Sequence, residues 1–146
     1  MDAREEAHLA RLAAAAPRKA GQSDIPGLRA LLTGAFADDP VMGWGFRGGA
    51  KHAAALDAYF GFALKRQCAQ HDAMYVSGAM QGAAVWLPPD GVGSLSVPLW
   101  RMALLFPTLL KIAGWARLTR TMAMGEAMEK HHPPEPPHWY LFFLGV

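Results

Sequence analysis

Cysteine is nearly missing from this chain. Cys68 stands alone among 146 residues, which excludes an internal disulfide and any multi-cysteine metal site. Its place in a helical pattern fits a buried, inert thiol better than a nucleophile. Charge is scarce as well. Lys, Arg, Asp and Glu make up 18% of the chain and leave a formal charge of +2, too little for the concentrated basic face of a nucleic-acid binder. The N-terminal "MDAREEAHLARLAAAAPRKAG" lacks the layout of a signal peptide. It opens with acids and carries His8 and Arg11 where the apolar stretch belongs, so a cytoplasmic location is expected. A spanning helix needs roughly 20 apolar residues with few or no charges, and no such run occurs. Leu95 to Trp115 comes nearest, but Arg101 and Lys111 interrupt it and Pro107 and Gly114 divide it. Those residues suit a buried helix pair, or helices lining an apolar cleft, better than membrane insertion.

What remains is a globular composition, 52% hydrophobic, at a one-domain length sufficient to bury a core. No internal repeat is present, and the only biased segment is "HHPPEPP", whose prolines favour extended geometry. Residues 1–16 read as an N-terminal helical extension that Pro17 ends. A short strand and a helix follow, with Asp24 as the expected N-cap and Pro26 in the first turn. Leu28, Leu31, Leu32, Ala35 and Phe36 recur at helical spacing. Asp39 before Pro40 is a second expected N-cap. Lys51 to His71 reads as another helix, with Leu56, Tyr59, Phe60, Ala63 and Leu64 on its apolar stripe. The period then changes: "AMYVSG" and "MQGAAVWLPPDG" form a hairpin signal. Ser94 or Ser96 is expected to cap the next helix, with Pro98 in its first turn and a break or kink around Pro107 and Gly114. A further helix runs to about Lys130, and "HWYLFFLGV" is the last strand. The fold class expected is α/β (α+β), a mixed sheet with flanking helices.

Alternate residues of a strand face opposite sides. One face of the last strand would carry His138, Tyr140, Phe142, Leu144 and Val146; the other would carry Trp139, Leu141, Phe143 and Gly145. Both are apolar, which predicts a strand covered on both faces and central in its sheet. A central strand needs two neighbours for its backbone groups, and no later segment supplies the second. The sequence therefore reads as incomplete after the fourth strand.

"RKAGQSDIPGLRALLTGAFADDPVMGWGF", "GAAVWLPPDG" and "HPPEPPHWYLFFLGV" together resemble, in that order, the GNAT superfamily of acetyl-coenzyme A-dependent N-acetyltransferases. They are similar to its first strand with paired early helices, its third strand and its fourth strand. The resemblance spans roughly Pro17 to Val146, so residues 17–146 are expected to form the N-terminal portion of such a domain. It implies acetyl-CoA as co-substrate, a primary amine of a small molecule as acceptor, and direct attack of the amine on the thioester. The family's pyrophosphate-binding loop and helix, expected after Val146, are not in the sequence, and neither is the later strand whose tyrosine protonates the leaving thiolate in many members. "GVGS" at 91–94 fits no phosphate loop. Weak or no acetyl-CoA binding is the expectation for this chain.

The resemblance implies that backbone groups of the fourth strand, at Leu144, Gly145 and Val146, pair with the acyl and pantetheine part of acetyl-CoA. Where several members carry Glu or His, six positions before the strand's last residue, this chain has Tyr140. A phenol, with an unperturbed pKa of about 10, is a poor base near neutral pH, so Tyr140 is expected to orient the substrate or a water chain. His138 belongs to the residue type suited to a base, although a structural histidine explains it too. Asp38 and Asp39 are candidates for binding the amine's positive charge, and Trp86 for walling the acceptor site. His131, His132, Glu135 and His138 are splayed by prolines rather than convergent, so no metal is expected. A homo-oligomer or a strand-donating partner is an expected way to complete the sheet. A non-catalytic ligand-binding or assembly module, and a membrane-surface protein using Leu95 to Trp115, remain open alternatives.

Overall fold

A computed structural model of the chain describes residues 2–91 and 99–146. Helix α1 spans Ala3–Ala15, capped by the Asp2 carboxylate, which accepts from the Arg4 N–H at 3.2 Å. Glu5 and Glu6 sit in its first turn, where the helix dipole favours acids. Strand β1 is Arg18–Lys19, and helices α2 (Ile25–Ala35), α3 (Pro40–Gly45) and α4 (His52–Ala63) follow. Strands β2 (Met74–Val76) and β3 (Ala83–Leu87), helix α5 (Leu99–His131) and strand β4 (Tyr140–Gly145) complete the order. The sheet runs β1-β2-β3-β4 with every pair antiparallel. The class is α+β, with an antiparallel sheet throughout.

The apolar stripes account for the core. Leu28 and Leu32 of α2, and Leu56 and Phe60 of α4, are fully buried against Val76, Val85 and Leu87 of the hairpin. Arg29 of α2 and Asp57 of α4 form a two-bond ion pair across the helix interface. A close approach makes this possible, because a Cβ on Gly61 would meet the Arg29 guanidinium at 3.0 Å. In the hairpin turn, the Ser77 hydroxyl accepts from the Gln81 and Gly82 N–H groups at 3.0 and 2.9 Å.

Three features depart from the sequence reading, and one lies outside the described residues. Asp24 does not cap α2 with its side chain. Its carboxylate turns back to the Arg18 guanidinium, at 2.7 and 2.8 Å, and to the Gly21 N–H at 2.9 Å. In α5 the break falls at Gly114 alone (φ 64°, ψ 175°), while Pro107 lies within the helix. The expected cap at Ser94 or Ser96, and Pro98 after it, lie outside the described residues. Finally, β4 is an edge strand of the described sheet, not a central one. Apolarity on both faces of a strand reports a demand for cover; it does not supply a neighbour.

Gly114 is required twice. Its dihedrals lie in a region essentially reserved for glycine, and a Cβ there would meet the Arg47 Nε at 2.8 Å. The Arg47 N–H donates to the Ile112 carbonyl at 2.9 Å, so the break lies where the α3–α4 connection is bonded to α5. Among the described residues no helix is long and apolar enough to cross a membrane.

Two outcomes follow for stability. Gly114→Ala should cost about 1–3 kcal/mol from the backbone alone, read by chemical denaturation; an unchanged midpoint would show that the break carries no strain. The second concerns acid. The Arg18 guanidinium, and then the Gly21 N–H, hold the Asp24 carboxyl below the usual carboxylate range. A depressed folded pKa contributes stability that is present above the ordinary aspartate value of about 3.9 and is lost as pH falls through the folded value. Asp24→Asn should therefore lower stability at neutral pH, with the gap to the parent narrowing as pH drops below about 4. A gap constant with pH would remove Asp24 from the acid limb.

Candidate functional site

The site is built around β4, and β4 is held by one ring. Phe143 is 4% exposed and meets Phe60 at 5.1 Å, Tyr59 at 6.0 Å and Phe36 at 6.3 Å, each edge-on. Such arrangements are favoured by the ring quadrupoles and add to area burial. Gly145 follows on the same face, so close to α2 that a Cβ would meet Ala35 Cβ and Leu32 Cδ2 at 3.0 Å. The strand thus lies flat on α2.

The pairing of β4 with β3 contains a bulge. Val85 stands opposite Phe143 and Trp86 opposite Leu141, which leaves Phe142 without a partner position. The extra residue shifts the alternation by one. Before the bulge Tyr140 is turned toward the core; after it Phe143 and Gly145 are. The faces expected from strict alternation are corrected accordingly: Phe143 and Gly145 share the core side with Tyr140. Leu144 is 61% exposed on the other face, and Val146, just beyond the strand, is 93% exposed.

His138 and Tyr140 are brought together by a residue that the sequence reading used only in a metal argument. The His132 ring stacks on His138 at 4.9 Å and meets the edge of Tyr140 at 4.8 Å. The His138 Nδ1–H donates to the Pro136 carbonyl at 2.8 Å. A carbonyl only accepts, so Nδ1 carries the hydrogen and Nε2 of the neutral ring presents a lone pair. Tyr59 lies behind, partly buried; desolvation pushes its hydroxyl pKa up, with smaller contributions from Cys68 and Tyr140. Among the described residues no group of three or more His, Cys, Asp or Glu is arranged to hold a metal ion.

Asp38 and Asp39 occupy the α2–α3 turn, two and three residues after Phe36, whose ring touches Phe143. The Asp39 carboxylate accepts from the Met42 N–H at 2.8 Å as the N-cap of α3, and Asp38 is exposed. Trp86 is placed elsewhere. It lies on the sheet face away from the helices, where it lines a cavity of about 350 Å³ with Ala73, Tyr75 and Trp139. Cys68 is fully buried, and burial pushes its thiol up to about 12, which removes it as a nucleophile near neutral pH.

A groove of about 420 Å³ runs between α3 and α5, lined by Val41, Trp44, Ala123, Met124, Ala127 and Met128. Sequence reasoning missed it. Its one visible signal was the helical spacing of Met124, Met128 and His132. Compared with known proteins, the chain matches no family model and no curated protein.

The bulge predicts an order of side-chain costs. Phe143→Ala should destabilise by about 3–5 kcal/mol and Phe142→Ala by clearly less, both by denaturant titration. The reverse order would mean that β4 alternates without interruption.

Proposed function

We propose that the chain serves acetyl transfer from acetyl-CoA to a primary amine of a small molecule, by direct attack and in the cytoplasm where acetyl-CoA is available. The observation that carries this reading is the free edge of β4. No described strand pairs with it, it is bulged beside Phe142, and it starts at the His132–His138–Tyr140 cluster. An unpaired strand edge offers alternating N–H and C=O groups, which suit the amides of a pantetheine arm. Bulges are enriched beside active sites because they re-aim backbone groups. The order of elements is a strand, early helices, a hairpin, the long helix α5 and a fourth strand, which is compatible with the resemblance.

In this reading the backbone from Leu144 to Val146, at and just past the end of β4, aligns the thioester. An outward N–H stabilises the oxyanion that develops on the carbonyl oxygen. Asp38 and Asp39 attract the incoming ammonium. His138 takes its first proton at Nε2, held in that orientation by the Pro136 carbonyl and the His132 ring. The neutral amine then attacks: the C–N bond forms, the C–S bond breaks, and the second nitrogen proton goes to the departing thiolate. Tyr140 orients the amine or its water and is not the base. Trp86, on the far face of the sheet, has no part in this account.

A second reading has its own support. Tyr75, Trp139, Leu141 and Leu144 leave an exposed apolar sheet face beside the free edge, as an assembly module completed by a strand-donating partner or a second copy would have.

Amide NMR with millimolar acetyl-CoA separates the two. Acetyl transfer requires shifts concentrated on Leu141 to Gly145, and release of free thiol when a primary amine is added. His138→Gln should slow that release by about 100-fold or more. No shift on β4 and no thiol release, together with a concentration-dependent rise in mass, would leave assembly as the function.

A further inference from the structure

We infer that the groove between α3 and the C-terminal half of α5 takes the apolar body of the acceptor, a primary amine carried on an aryl-alkyl group. The amine's reactivity rests on the acetyl-transfer reading; its binding rests on the groove. Every lining side chain is apolar, and Val41, Trp44 and Met128 are 54%, 49% and 42% exposed. The volume of about 420 Å³ lies within the range of small-molecule sites, about 300–1,000 Å³. An aromatic wall and two methionines suit a ring, since a thioether adapts its shape and makes favourable contacts at ring edges.

The two ends of the groove differ in charge, and this gives the occupant a direction. Helices α3 and α5 run past each other in opposite senses. The Ile112 carbonyl accepts from the Arg47 N–H past the end of α3, Thr121 donates to the Gly45 carbonyl and Met124 lies against Gly45, while Ala127 and Met128 share the groove with Val41 near the start of α3. Ascending α5 therefore leads down α3 toward its N-terminus. At the Trp44 end, the Arg120 guanidinium lies over the indole at 5.6 Å, so that end is cationic. At the Val41 end stand Asp38 and Asp39, neither in an ion pair among the described residues. Met124 and Met128 are spaced four residues apart on α5, and His132, four further and one residue past the helix end, carries the imidazole that touches Tyr140. A molecule with an apolar body and a cationic head fits this polarity only with its head toward the carboxylates and the histidines. A carboxylic acid or a phosphate would be repelled there.

The test uses the full chain without acetyl-CoA, observing methionine methyl signals by NMR. 2-Phenylethylamine should shift the Met124 and Met128 methyls, whereas ethanolamine, an amine without the ring, should leave them in place. 2-Phenylethanol, the ring without the cation, should move the same signals with an affinity about two- to fivefold weaker, the scale of an exposed charge pair. Met128→Lys, at an exposed helix position, should weaken 2-phenylethylamine by about tenfold, on loss of the apolar wall and like-charge repulsion. Unmoved methyls with 2-phenylethylamine, or ethanolamine binding as well, would overturn the assignment; equal affinity for 2-phenylethanol would overturn the amine. Methyl shifts without thiol release in the acetyl-CoA assay would sustain the groove and sink the reaction. Thiol release without methyl shifts would do the opposite.

Discussion

Phe143 is the contact on which the arrangement of this molecule turns. It joins the last strand to α4 and the α2–α3 turn through Phe36, Tyr59 and Phe60. Full burial of such a ring is worth about 1.5–3 kcal/mol, and each well-formed aromatic pair about 0.5–1.5 kcal/mol more. A strand at a sheet edge has hydrogen bonds on one side only, so this anchorage matters more for β4 than for β3. With Phe143 in place, Gly145 is pressed against α2 and the free edge of β4 is held at a fixed distance from the helices.

The bulge at Phe142 lets one short strand serve two purposes. Before it, Tyr140 is available to the two imidazoles at the strand's entry. After it, Phe143 and Gly145 lock into the core. Strict alternation would put Tyr140 and Phe143 on opposite faces, so the histidine–tyrosine cluster and the anchor could not both face the helices. One unpaired residue resolves that conflict.

Much of the scaffold was legible in the residues. Leu28 and Leu32, and Leu56 and Phe60, announce their helices by spacing, and Asp39 before Pro40 announces the start of α3. The hairpin follows from the change of period at Met74. The bulge was hidden for a physical reason: Leu141, Phe142, Phe143 and Leu144 are all apolar, so a shift by one residue leaves no mark in the pattern. Asp24 stands at the N-cap position of α2 as expected, but Arg18 takes its carboxylate, and an ion pair with two bonds outweighs a capping bond. Pro107 and Gly114 both signal a break, but only Gly114 has dihedrals that no other residue adopts readily. Tyr140 and His138 could be named from the strand. Their meeting with His132 depends on the course of the proline segment, and the groove depends on two helices far apart in the chain. Neither is written in local spacing.

Helix α3 is only six residues long, too short to persist alone in water. Its first turn is secured by Asp39, but its terminal carbonyls are taken by Arg117 and Thr121, more than seventy positions later. Its helical state is therefore lent by α5 across a long stretch of intervening chain. Contacts of that kind form late, after the cost of closing the intervening loop has been met. The groove is in this sense not a property of either helix. It comes into being when they dock, and it lasts only as long as they remain docked.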